Sequence, residues 1–227
     1  MTPYFQDDAV TIYHGDCREI LPTLGRFDLL LTDPPYGIGR DRGMGGGGSY
    51  GCISAVHGKP RYAKRYDGNW DRERPVDALL LALGAAATSI VWGGNYYTDV
   101  LAQQAKWLVW DKEQTMPSYS DAELAWTTLA GVSVKMLRYR GNGLMAKEKN
   151  RQHPTQKPLA LMIWCIGLAG DVQTILDPFA GSGTTGRAAK DLGRKAVLIE
   201  QEECYCEIAA LRMAQGVLDF GPQNSAS

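Results

Sequence analysis

Short apolar runs punctuate the chain, and between them lie either helical periodicity or clusters of Gly, Pro and Asp. Val10-Thr11-Ile12-Tyr13 reads as a strand, Gly15-Asp16 as its turn, and Cys17 to Leu24 as a short helix. The apolar run Leu29-Leu30-Leu31 ending at Thr32 is a second strand, of the kind buried on both faces. A helix is predicted over about Pro75 to Ala87, with a proline at its start. Ser89 to Trp92 follows as a strand, Gly93-Gly94-Asn95 as a turn, and Tyr97 to Gln104 as a further helix. Lys106 to Trp110 and Glu123 to Thr127 are strands, and from Val134 to Arg151 the pattern degrades into a loop insertion. Pro158 opens a helix over about Leu159 to Ala169. Gln173 to Leu176 is a strand, a helix runs to about Leu192, and Lys195 to Ile199 is the next strand. Tyr205, Ile208, Ala209 and Arg212 recur with helical spacing in a last helix over about Glu203 to Ala214. Alternation of short apolar strands with helices gives an α/β class with a layered sheet.

Two strand ends carry unusual chemistry. Thr32-Asp33-Pro34-Pro35-Tyr36-Gly37 follows the second strand, and its prolines restrict both their own φ and the residues before them. A stiff, extended loop results, holding a carboxylate, a prolyl carbonyl and a flat ring at fixed distances. Such a loop suits a planar, amino-bearing group. Residues 173 to 200 supply strand, glycine loop, helix, strand and a closing acid, the parts of a nucleoside-cofactor site. Gly181 and Gly183 permit close backbone approach, and Glu200 can accept hydrogen bonds from a ribose diol. Gly181 to Gly186 also fits the dinucleotide pattern G-x-G-x-x-G. Against a dinucleotide stand Asp177 and Phe179 ahead of the glycines and a second strand-end carboxylate, Asp16. These acids suit a cationic centre and an adenine amino group better than a pyrophosphate.

Composition sharpens this picture chiefly through charge. The 227 residues carry a net charge of −1, which taken alone argues against a nucleic-acid partner. Yet residues 40–74 hold eight Lys/Arg against four acids, and residues 135–157 hold seven against Glu148 alone. An acidic body with two basic segments fits a protein that meets phosphates on one face. In the first segment, basic residues interleave with Tyr62, Tyr66 and Trp70, a composition suited to base stacking. The glycine-rich stretch Gly43 to Gly51 reads as a flexible lid or linker. The five cysteines show no CxxC, and the three histidines no metal-ligand spacing, so no zinc site or disulfide framework is indicated. The apolar runs are too short to span a membrane, and residues 1–8 lack a signal-peptide pattern, so a soluble cytoplasmic protein is expected.

The motifs together resemble a DNA amino-methyltransferase dependent on S-adenosylmethionine, in the permuted order called the beta class. The resemblance rests on Gly15-Asp16, Asp33-Pro34-Pro35-Tyr36, His153 to Pro158, Phe179 to Gly183, Glu200 and the Tyr205-x-x-Ile208-Ala209 helix. It implies a Rossmann-like methyltransferase fold, a mostly parallel twisted sheet with helices on both faces. It also implies one domain over residues 1–219, with target-recognition insertions at about 39–71 and 134–151 and a disordered tail at 220–227. Asp33, Pro34 and Tyr36 would be catalytic. Asp16 would hold the adenine amino group and Glu200 the ribose, with Asp33, Asp177, Phe179, Gly181, Ser182, Gly183 and Thr184 around the cofactor. Thr155 and Lys157 would hold its methionine carboxylate. Double-stranded DNA would meet Pro35, Arg40, Arg42, Arg61, Lys64, Arg65, Arg138, Arg140, Lys147 and Lys149. Many relatives dimerise, though nothing in the sequence fixes this; any restriction endonuclease would be a separate chain.

In the chemistry the resemblance implies, Asp33 and the Pro34 carbonyl accept the amino hydrogens of a base, and the nitrogen's lone pair turns toward the sulfonium methyl. Tyr36 stacks on a base flipped out of the duplex. Asp at position 33 resembles adenine-N6 enzymes more closely, since cytosine-N4 enzymes commonly carry Ser there. The short recognition segments predict a short or relaxed target site. Rival readings are an RNA or protein-amide methylase, a nicotinamide dehydrogenase and a non-catalytic nucleic-acid-binding module. The dehydrogenase leaves Asp33 to Tyr36 unexplained, and the module has no use for the cofactor constellation.

Overall fold

The computed structural model describes residues 1–39, 71–114, 120–131, 133–140 and 156–215, together with the backbone of 53–56 and 59–62. Eleven strands and five α-helices lie among these residues. In chain order they are β1 (Phe5–Gln6), β2 (Val10–His14), α1 (Cys17–Ile20), β3 (Phe27–Thr32), β4 (Ile53–Val56), β5 (Lys59–Tyr62), α2 (Val76–Gly84) and β6 (Ala86–Trp92). There follow β7 (Trp107–Asp111), β8 (Ala122–Thr127), β9 (Val134–Arg138), α3 (Leu159–Ala169), β10 (Thr174–Asp177), α4 (Thr184–Asp191), β11 (Lys195–Glu200) and α5 (Glu203–Ala214).

Nine strands form one sheet in the order β1-β2-β11-β10-β3-β6-β8-β7-β9. The pairs β2–β11, β11–β10, β10–β3, β3–β6 and β7–β9 are parallel; β1–β2, β6–β8 and β8–β7 are antiparallel. The period-two alternation of a strand sorts its side chains onto opposite faces. On one face Leu29, Leu31, Ile175 and Leu198 pack with Met162 and Cys165 of α3, Ala188 and Ala189 of α4, and Cys206 and Ala209 of α5. On the other, Leu30, Val91, Leu176 and Ile199 pack with Cys17 and Ile20 of α1 and Leu79 and Ala82 of α2. Burial on both faces explains the continuous apolar run of β3. A mostly parallel sheet covered by helices on both sides is the Rossmann-like arrangement expected.

The chain runs from β3 to β6 in one direction across the sheet and from β10 to β11 in the other. The boundary between β10 and β3 is therefore a topological switch point, where open α/β sheets bind ligands beyond the strand C-termini. Both distinctive loops leave the sheet there, one after Thr32 and one after Asp177.

Three expectations are corrected. Residues 97–104 form no helix. A 3-10 turn over Gly94–Tyr96 gives way at Tyr97 (φ −123°, ψ 26°), and the N–H groups of Val100 and Leu101 both return to the Tyr97 carbonyl in a single turn. Thr98, Asp99 and Val100 are weak helix formers, and the Asp99 carboxylate is taken by Arg74 at 2.6 Å. Residues 134–138, expected as the start of a loop insertion, are β9, paired in parallel with β7. As an edge strand it leaves Val134 and Met136 exposed, so its sequence lacks the apolar run of a central strand. The predicted helix from Pro75 stops at Gly84, because Ala86 already belongs to β6. Within the basic, aromatic segment, β4 and β5 form an antiparallel pair with Ile53 opposite Tyr62. The glycine-rich stretch 43–51 and the tail 220–227 lie outside the described residues.

Candidate active site

A cleft of about 740 Å³ opens at the switch point. Its walls include Asp16, Asp33, Pro35, Lys157, Asp177, Phe179, Gly181, Ser182, Thr184 and Glu200. Residues expected at the two ends of the sequence thus share one cavity.

The loop after β3 is held from several sides. The Tyr36 hydroxyl donates to Asp33 Oδ1 at 2.5 Å, and the Lys157 ammonium donates to Asp33 Oδ2 at 2.5 Å. Asp71 is buried, and its Oδ1 accepts the backbone N–H groups of Tyr36 at 2.7 Å and Gly37 at 2.9 Å. The Tyr97 hydroxyl donates to the Pro35 carbonyl. The Tyr36 ring stacks on Tyr96 with centroids 4.7 Å apart and planes 14° from parallel. Gly93 makes this possible: at φ +68°, a Cβ built there would lie 2.0 Å from the Tyr36 ring. Burial and the adjacent Asp33 carboxylate raise the Tyr36 hydroxyl well above its usual range, so it stays a phenol and a donor.

The glycine loop after β10 is shaped from beneath. Asp177 is buried and accepts from the Thr32 hydroxyl at 2.8 Å, the Thr185 hydroxyl at 2.6 Å and the Phe179 N–H at 3.2 Å. Burial pushes its carboxyl up to about 6 against these hydrogen bonds. Asp177 therefore ties the two loops together through Thr32. Glu200, at the tip of β11, accepts the Gly181 N–H at 2.7 Å and the Glu202 N–H at 2.9 Å. Burial raises it to about 7, opposed by these N–H groups. Gly181 sits at φ +49° with open space where a Cβ would point. Gly183 differs: it faces α5, where a Cβ would meet Ala209 at 2.8 Å, so it serves packing and is not among the residues lining the cleft. The Ser182 hydroxyl donates to Gln156 at 3.1 Å, and Thr184 accepts from Arg212 at 2.8 Å. Asp16 accepts the Arg18 N–H at the start of α1 and pairs with its guanidinium, which lowers its carboxyl.

Lys157 departs from expectation. Its ammonium, close to fully buried, contacts Asp33, the Tyr36 hydroxyl at 3.2 Å and Glu123 Oε2 at 3.0 Å. Glu123 Oε1 in turn meets Lys112 at 2.6 Å. Burial opposes both charges, but the ion pairs prevail: Lys157 is raised well above its usual range and Glu123 is held down to about 2. Lys112 and Glu123, with Asp71, are site residues that the sequence reading did not single out. Their signal is faint, since each is a lone charge beside an apolar strand or at the end of a basic segment.

Among the predicted DNA contacts, Arg138 and Arg140 stand at the same C-terminal edge of the sheet. Arg138 is exposed and 3.3 Å from Asp111, and Arg140 donates to the Glu113 carbonyl at 2.9 Å. Arg40, Arg42, Lys64, Arg65, Lys147, Lys149 and Thr155 lie outside the described residues, as does the side chain of Arg61. No helix among the described residues is long and apolar enough to cross a membrane.

Comparison with known proteins agrees with this geometry. The DNA methylase (N6/N4) family model matches residues 109–211. The Type II methyltransferase M2.LlaDCHI of Lactococcus lactis subsp. cremoris is 28% identical, over 94% of this chain and 93% of its own. M2.DpnII of Streptococcus pneumoniae is 26% identical, over 93% and 92%. The solved M1.HpyAVI–SAM complex superposes with a TM-score of 0.60 at 24% identity, covering 91% of this chain and 100% of the other. PvuII DNA methyltransferase, described as cytosine-N4-specific, gives a TM-score of 0.59 at 18% identity, over 94% and 89%.

Proposed function

We propose that this chain, a DNA amino-methyltransferase by its family match and relatives, methylates the exocyclic amino nitrogen of a flipped base in double-stranded DNA, adenine N6 before cytosine N4. The observation that carries this reading is the single cleft shared by Asp33, held by Tyr36 and Lys157, and Glu200 with the glycine loop. An amino-group acceptor and a nucleoside-type pocket open into the same cavity.

The cleft's chemistry fits S-adenosylmethionine. Glu200 has lone pairs beyond those used by Gly181 and Glu202, at the position for a ribose diol, and the open side of Gly181 admits close approach. Asp16 lines the same wall and can accept from an adenine amino group. When bound, S-adenosylmethionine supplies an electrophilic methyl on a sulfonium centre.

The chain's own residues do the rest. A base amino group is a poor nucleophile because its lone pair is delocalised into the ring. Asp33 and the Pro34 carbonyl each accept one N–H, which favours a tetrahedral nitrogen with its lone pair directed along the line of displacement. The nitrogen would take the methyl carbon as its bond to the sulfonium sulfur breaks and a neutral thioether leaves, and would then give up one proton, which Asp33 is placed to receive. A base drawn out of the duplex would stack on Tyr36, whose ring is itself backed by Tyr96. Arg138 and Arg140, at the same C-terminal edge of the sheet but at its edge strand, would meet the phosphate backbone.

Digestion of DNA incubated with the protein and S-adenosylmethionine, followed by mass spectrometry of the nucleosides, tests the target. N6-methyladenine is expected; N4-methylcytosine would replace the adenine reading, which rests on Asp at position 33. Absence of any methylated nucleoside would refute the function.

A further inference from the structure

Four charged side chains, two ammonium and two carboxylate, run in a line from the interior to the reacting centre. Lys112 Nζ lies 2.6 Å from Glu123 Oε1, Glu123 Oε2 lies 3.0 Å from Lys157 Nζ, and Lys157 Nζ lies 2.5 Å from Asp33 Oδ2. The side chains of Lys112 and Lys157 are only 5% and 6% exposed, and that of Glu123 16%. Burying such charges is costly, and replacing them by apolar groups is often neutral or better for stability. Their value to this fold therefore lies in geometry. The Lys157 ammonium donates to Asp33 and to the Tyr36 hydroxyl and stands 3.0 Å from Glu123 Oε2 as an ion pair.

We propose that Glu123 is a positioning residue for methyl transfer: braced by Lys112, it holds Lys157 against Asp33 and Tyr36, so that the free lone pairs of the acceptor carboxylate point in one direction. The proposal rests on the reading that Asp33 receives the base amino group. Lys112 lies just beyond β7 and Glu123 on β8, so the relay anchors a loop of the switch point to the antiparallel part of the sheet. Without the Glu123 charge, Lys112 loses its carboxylate partner and Lys157 keeps only Asp33, so Lys157 is free to shift toward the cleft. Asp33 then rotates, with Tyr36 alone to orient it.

The test uses the full chain as wild type, Glu123→Gln, Glu123→Asp, Lys112→Met, Lys157→Met and the Glu123→Gln/Lys157→Met double variant. Single-turnover methyl transfer to DNA at saturating S-adenosylmethionine should fall roughly 10- to 100-fold in Glu123→Gln, the scale of a small misplacement at a reacting group. Calorimetric affinity for S-adenosylmethionine should stay within about twofold, because the effect acts on orientation and not on uniform binding. Glu123→Asp should recover part of the rate, and the double variant should be no slower than Lys157→Met, since both changes break one relay. If Glu123→Gln fails to fold, Lys112→Met carries the same expectation, and Glu123→Asp should show a smaller loss in the same direction. An unchanged rate, multiplicative losses, or weakened cofactor binding with a normal saturated rate would overturn the proposal. Nitrogen NMR of lysine ammonium groups reads the relay without turnover: a slowly exchanging Lys157 signal in wild type should vanish in Glu123→Gln, and its persistence there would also overturn it. Wild type that methylates nothing yet shows this NMR change would refute the functional reading and leave the relay standing.

Discussion

Asp33 and Glu200 are two carboxylates in one cleft that the structure uses differently. Asp33 is paired to an ammonium, whereas Glu200 is buried among backbone N–H groups and raised to about 7. Unfolded, Glu200 titrates near 4.5, so the folded chain binds the extra proton between these values. Stability from that proton is fully present below about 4.5 and is lost as pH rises through about 7. Asp177, raised to about 6, acts in the same sense. Thermal unfolding of the unliganded protein should therefore show a lower Tm at pH 8 than at pH 5, and Glu200→Gln should flatten the slope; a Tm rising steadily across that interval would contradict it. Cofactor affinity should move the other way, because ionised Glu200 is the better acceptor for ribose hydroxyls. Both residues were legible in the sequence, as each is an acid ending an apolar run. Lys157 was legible only as a charge before a helix; the partners that give it a role come from β3 and β8, distant in sequence.

At the scale of elements, the loop after β3 is stiffened by its prolines but positioned by residues from elsewhere. Asp71 accepts two of its N–H groups, and Gly93 makes room for its aromatic ring. Asp71→Ala removes the acceptor of the half-buried Tyr36 N–H and the exposed Gly37 N–H, a loss of about 1 kcal/mol where water can replace it, and should lower turnover more than denaturant stability. Gly93→Ala adds left-handed strain of about 1–3 kcal/mol to a clash with Tyr36. Its turnover should fall more than its stability explains; equal activity per folded molecule would show that the Tyr36–Tyr96 stack is dispensable. The sequence revealed α3, β10, β11 and α5 nearly to the residue and β3 by its end, because their apolar patterns match burial on the sheet or against it. It failed at Tyr97, where an aromatic buried in the core imitates a helix start. It failed again at β9, where an edge strand needs few apolar residues. Asp71 was counted among the charges of a basic segment because no local pattern distinguishes a carboxylate that caps a loop from one in solvent.

For the whole molecule, the switch point between β10 and β3 explains why motifs at opposite ends of the chain meet. The motif order fixed neither the strand order nor the cleft; the fold class followed from alternation alone. Arg138 and Arg140, at the C-terminal end of the edge strand β9, predict salt-sensitive DNA binding, with log affinity falling by roughly 0.9 per log unit of salt for each phosphate contact. Charge reversal of both should weaken binding to all duplex sequences and make that slope shallower by roughly two contacts; a slope unchanged from wild type would move the DNA interface elsewhere. The most direct test of the account is transfer of labelled methyl from S-adenosylmethionine to duplex DNA by wild type and Asp33→Ala, with cofactor affinity measured in parallel. Wild type should label DNA, whereas Asp33→Ala should lose at least roughly 100-fold in rate, as for a lost oriented acceptor, with cofactor binding largely intact. Labelling by Asp33→Ala at a near wild-type rate, or none by wild type, would contradict it.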